Sequence, residues 1–246
     1  IGCALLRLWP VFLSPENVVV GAWNHPDNLG NHWLLVWVAE QIFAGESILH
    51  NQEYYLPVGD HPWLAGNGSH GVLYLPFQLL FGWPVAVAAQ LLVQLVWLTA
   101  GAYVLGRVSG VDRWSALIVP VACLMMTYWA RELSCGRFSQ ADISWLVWSC
   151  ALFLSLWTKQ RLRWAVACGF CVAMTGFLYW YYALFFVMFA VISVAASLVA
   201  SRNFPLRQIG LAAGVALLLI APLMVIFVSN WGLVPGVSES AILFPS

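Results

Sequence analysis

The sequence predicts an all-helical integral membrane protein: one transmembrane domain, residues 1–246, of about seven spans with a large first outer loop. Three observations carry that reading. Of 246 residues, 62% are hydrophobic and only 8% are charged, too little charge to clothe a water-soluble domain. Apolar runs recur at the length a helix needs to cross a bilayer, and such runs specify helices rather than a barrel. The basic residues are also unevenly spread, with none between Arg7 and Arg107, as expected where positive charge marks the cytoplasmic loops. A net charge of zero argues against a nucleic-acid partner.

Ile1 to Leu13 is apolar but shorter than the roughly 20 residues that cross a bilayer. It reads as the end of a first span, and the chain as a fragment of a longer protein. Residues 14–70 then form the first outer loop. They hold all five histidines (His25, His32, His50, His61, His70), six of the ten acidic residues and no Lys or Arg.

Within this loop Asn28 to Asn31 supply helix-capping residues, and Gly45 supplies a stop. Leu34, Trp37, Val38, Gln41 and Ile42 fall near helical spacing, with Glu40 off that face. The pattern predicts a short interfacial helix with its Trp-rich side toward lipid. Tyr54 to Pro62 is turn-rich, and Gly66 to Gly71 reads as a flexible turn. Val72 to Phe81 is too short to cross, and Gly82-Trp83-Pro84 breaks it from the second span, Val85 to Gly106.

Arg107 and Arg113 place the next turn in the cytoplasm. Trp114 to Ala130 returns outward, residues 131–142 (RELSCGRFSQAD) lie outside, and Ile143 to Thr158 runs back to the basic cluster Lys159, Arg161 and Arg163. Trp164 to Ala200 makes two short spans that meet at Tyr179-Trp180-Tyr181-Tyr182, an aromatic belt suited to the outer interface. Arg202 and Arg207 return to the cytoplasm, and Gln208 to Val228 is the last span. Gln90 and Gln94, one turn apart inside the second span, are placed to hydrogen-bond another helix. Cys168 and Cys171 form a CxxC, but inside an apolar helix, where small packing residues are expected. Arg131 and Arg137 break the alternation, being cations on the outer side. Either they pair with Glu132 and Asp142, or they bind something anionic.

Several stretches together resemble a known family. They are Asp27-Asn28-Leu29 with Asn31-His32-Trp33, Tyr55 to Asp60 (YLPVGD), Arg131 to Ser134, Gly136 to Gln140 and Tyr179 to Tyr182. Their order and topology are similar to the GT-C fold of polyprenyl-phosphate-dependent glycosyltransferases and its bacterial multi-spanning relatives. The resemblance implies a bacterial inner-membrane protein with the 14–70 loop on the outer face. It would transfer a sugar from a polyprenyl-phosphate carrier to an acceptor, with membrane lipid around it. In that reading Asp27 is the general base, Arg131 and Arg137 hold the lipid phosphate, and Asp60 and Tyr181 contact substrate. Some members use a divalent metal ion and others do not; here His25, His32 and His61, with Asp27 and Asp60, are the candidate ligands.

Asp27-Asn28 would serve equally as an Asx turn or helix cap. The competing functional class is a non-catalytic multi-spanning subunit packed against partner membrane proteins. A transporter is weaker, because apart from Arg7 no charge lies near the middle of a span.

Overall fold

A computed structural model describes residue 11 and residues 13–21, 25–48, 64–200 and 204–230. Among these the secondary structure is entirely helical. Ten α-helices follow in order: α1 (Pro26–Ala44), α2 (Leu64–Phe81), α3 (Val85–Val108), α4 (Ile118–Met125), α5 (Thr127–Ser134), α6 (Phe138–Ala141), α7 (Ser144–Lys159), α8 (Leu162–Leu178), α9 (Trp180–Val199) and α10 (Leu206–Asn230), with a 3₁₀ turn at Ser115–Leu117 before α4.

Among the described residues five stretches are long and apolar enough to cross a membrane: Val85–Val108, Ser115–Ser134, Phe138–Lys159, Trp180–Val199 and Leu206–Val225. Helix α8, also apolar, is shorter at 17 residues. These six correspond to six of the spans expected from sequence; the first, Ile1 to Leu13, lies almost wholly outside the described residues. The fold is thus that of an all-helical membrane protein.

Helix α7 is central. It packs against α3 on one side and α8 on the other, and α8 in turn packs on α10. In the apolar window of Phe138–Lys159, 67% of residues are buried; in those of Trp180–Val199 and Leu206–Val225 the figure is 11%, so α9 and α10 form the apolar exterior. Two helix contacts depend on glycine. At Gly101 of α3 the Trp148 indole of α7 lies where a Cβ would come within 2.8 Å of it. At Gly169 of α8 a Cβ would lie 2.4 Å from the Ala212 carbonyl oxygen of α10. Cys150, Cys168 and Cys171 sit in the α7–α8–α10 core as free thiols.

Two sequence expectations are corrected. Helix α1 does not turn its Trp-rich side to lipid: Leu34, Trp37 and Val38 are buried, and α1 packs on α2. The amphipathic stripe is real and Glu40 is exposed, but its partner is protein. The stretch Gly66 to Gly71 is helical rather than a turn, forming the start of α2. Gly71 is the reason the two helices can close, since a Cβ there would fall 2.6 Å from that of Val38.

Two of the spanning stretches are interrupted. Ser115–Ser134 breaks at Met126, whose backbone is extended (φ −60°, ψ 126°), between α4 and α5. Phe138–Lys159 breaks at Asp142 and Ile143, between α6 and α7.

Candidate functional site

The N-terminus of α1 and the α5–α6 turn meet at one end of the bundle. Helix α1 begins with proline at its first turn and is capped by His25, whose Nδ1 accepts from the Asp27 backbone N–H at 3.3 Å. Asp27 therefore sits in the first helical turn, where the exposed N–H groups favour a carboxylate. Its carbonyl accepts from Asn31 Nδ2 at 2.8 Å.

Arg137 caps α6 from the other side. Its Nε donates to Asp27 Oδ2 at 2.6 Å, and its Nη1 lies 3.4 Å from Glu132 Oε2. The guanidinium thus bridges two carboxylates 105 positions apart in the chain, by subtraction of 27 from 132. The hydrogen bond that Arg137 donates to Asp27, the largest influence, pushes the Arg137 pKa up, and Glu132 adds to it. Glu132 is buried, whereas Asp27 and Arg137 remain part-exposed and reachable from outside. Three of the five N–H groups of Arg137 are not used in these two contacts.

What locks the two segments together is Asn28. It is wholly buried, and two glycines of positive φ, Gly21 (107°) and Gly136 (71°), press against its amide. A Cβ on either would come within 2.3 Å of Asn28 Oδ1. Neither amide atom of Asn28 has a hydrogen-bond partner among the described residues. Close backbone approach at Gly136 sets Arg137, the next residue, opposite Asp27.

Aromatic side chains border this cluster. Tyr179, between α8 and α9, is close enough to feel both Glu132 and Arg137; burial raises its pKa, with Tyr128, Tyr181 and Glu132 adding and Arg137 opposing. The hydroxyl of Tyr182 reaches the Gln140 carbonyl and lies 3.2 Å from the Tyr128 hydroxyl. Tyr181 itself is exposed and stacked on Trp180. The belt thus approaches the cluster through Tyr179 and Tyr182 rather than through Tyr181.

Of the residues singled out from sequence, Asp27 and Arg137 are in direct contact, and Arg137 also takes the expected partner Glu132. Arg131 is exposed and forms no ion pair among the described residues. Asp142 pairs with neither arginine; its Oδ1 accepts from the Ser144 backbone N–H at 3.1 Å and from the Ser144 hydroxyl. His25 adjoins Asp27, its Nδ1 3.8 Å from Oδ2. His32 has both ring nitrogens engaged: Nε2 faces the Val20 carbonyl at 2.9 Å, and Nδ1 accepts from Trp83 Nε1 at 3.2 Å. Burial lowers the His32 pKa, with the Val20 carbonyl partly offsetting it. Among the described residues no three His, Cys, Asp or Glu side chains converge as a metal site. Asp60 and His61 lie outside the described residues.

Sequence reasoning missed the role of Asn28 as a wedge. The glycine in Cys135-Gly136-Arg137 was the available signal for it.

Comparison with protein-family models, with curated proteins and with solved structures gave no match.

Proposed function

We propose that the chain is a GT-C-type membrane glycosyltransferase acting on a polyprenyl-phosphate-linked sugar at the outer face. The observation that carries this reading is the Asp27–Arg137–Glu132 bridge, at 2.6 and 3.4 Å, with the tyrosine belt beside it. Sugar transfer needs a carboxylate to take the acceptor's proton and cations to hold the departing phosphate. Asp27 supplies the first. It is part-exposed, and the hydrogen bond from Arg137 Nε fixes its carboxylate's orientation.

Arg137 supplies the second through the N–H groups its carboxylates leave over, and exposed Arg131, six positions away on the same segment, supplies another cation. Glu132 stays bound to Arg137 when phosphate competes for the guanidinium, so the cation keeps its place. The lipid tail is accommodated along the apolar surfaces of α9 and α10.

The test is sugar transfer in proteoliposomes supplied with polyprenyl-phosphate sugars. Wild type transfers; Asp27→Asn loses about 10²–10⁴-fold in rate while keeping lipid binding. Equal rates for the two proteins would remove Asp27 as the base. No transfer by wild type with any donor, together with co-purification of a stoichiometric membrane partner, would favour the subunit reading.

A further inference from the structure

A second buried polar cluster is built from residues other than those of the Asp27–Arg137 bridge. His70 of α2 is buried, and its Nε2 is approached by Gln94 Nε2 at 2.8 Å and Gln90 Nε2 at 3.5 Å, both from α3. With both amide nitrogens aimed at His70, the amide oxygen of Gln94 is left for other partners. Gln94 also lines a cavity of about 10 Å³, room for one water-sized occupant, together with Leu91, Leu95, Leu98, Trp129, Ala141 and Asp142.

Asp142 is only 4% exposed. Its Oδ1 is satisfied by Ser144, but its Oδ2 is buried without a partner among the described residues. No Lys, Arg or His lines the cavity to balance that carboxylate. The helix breaks at Asp142 and Ile143, and Trp129, which also lines the cavity, lies just past the break at Met126. Interrupted helices in membranes leave backbone carbonyls free of the helical ladder, and these are the usual ligands for a bound cation.

We infer that Asp142 Oδ2 and the Gln94 amide oxygen, at the meeting of the two interrupted helices, form a site for a monovalent cation of sodium size. One carboxylate and one neutral amide balance one positive charge; a divalent ion would leave net charge buried in a medium of low dielectric. The cavity admits one ion stripped of its water. Its separate residues make the inference independent of the transferase reading.

The test is thermal unfolding of the detergent-purified full chain, followed by tryptophan fluorescence, in NaCl against choline chloride at equal ionic strength and fixed pH. The expected result is a saturable rise in Tm with sodium, about 3–6 °C at ten times the dissociation constant. Asp142→Asn removes the rise. Gln94→Leu, which leaves the carboxylate in place, moves its midpoint to higher sodium by about tenfold or more. The inference is overturned if wild type shows the same Tm in sodium and choline, or if Asp142→Asn keeps the full rise. It is equally overturned if Tm responds to pH alone, because the carboxylate then holds a proton instead. Should Asp142→Asn fail to fold, the Gln94→Leu midpoint decides: an unshifted midpoint overturns the site.

Discussion

Asn28 is held between Gly21 and Gly136 with its amide unsatisfied, an arrangement that costs free energy and survives because the glycine backbones leave it no room to turn. Gly136→Ala would meet both a left-handed φ and overlap with Asn28, and it is expected to destabilise by about 2–4 kcal/mol. Gly45→Ala is the control: its φ is 73°, but open space surrounds it, so about 1 kcal/mol is expected. Thermal unfolding of the two variants side by side checks this, and equal losses would mean that the wedge contributes nothing. His70 gives a pH signature. Burial holds its pKa down to about 4 from 6.5, so between those values the unfolded chain binds the proton and the folded chain does not. Stability is full above pH 6.5 and falls as pH drops toward 4, by about 3 kcal/mol. Denaturant titrations across that window should show the slope in wild type and lose it in His70→Gln. At this scale the sequence marked Arg137 as a cation on the side where few are expected, and the family resemblance pointed to Asp27. It did not show that His32 spends both nitrogens on Val20 and Trp83, because those contacts span long sequence separations.

Helix α8 meets α10 at Gly169, where the Ala212 carbonyl and the Val215 side chain leave no space for a Cβ. Gly169→Ala is expected to push the helices apart and cost about 1–3 kcal/mol. Gly214→Ala, on an α10 position with open surroundings, is expected to be neutral or to stabilise by up to about 1 kcal/mol through helix propensity. Unfolding of both variants in one detergent tests the contrast, which a loosely associated α10 would abolish. The elements themselves were largely legible. Gly82-Trp83-Pro84 separates α2 from α3, Tyr179 separates α8 from α9, and Gly45 ends α1 in the left-handed conformation. The break at Met126 was not, since that position carries no proline or glycine, whereas the break at Asp142 falls at the expected boundary between the polar segment 131–142 and the span from Ile143. The same limit hid the partner of α1: an apolar stripe of Leu34, Trp37 and Val38 says that a face is buried, and not whether lipid or α2 buries it.

Across the whole molecule, hydropathy found the long apolar helices because burial in lipid demands continuous apolar length, a local property. The convergence of Asp27 with Arg137 depends on how α1 docks on the α5–α6 turn, which no local pattern encodes. The basic residues around Lys159 and the Asp27–Arg137 cluster are proposed to face opposite sides of the membrane. In a cysteine-free background, a cysteine at exposed Ser134 should react with a membrane-impermeant maleimide on intact cells, and one at exposed Gln160 only after permeabilisation. The reverse pattern would invert the protein. The central claim is that the Asp27–Arg137 bridge marks a lipid-phosphate site. Native mass spectrometry of the detergent-purified protein, with Asp27→Asn and Arg137→Ala alongside, tests it most directly. The account predicts a bound polyprenyl phosphate or its sugar on wild type and Asp27→Asn, lost from Arg137→Ala. Ordinary phospholipids alone on all three proteins would contradict it.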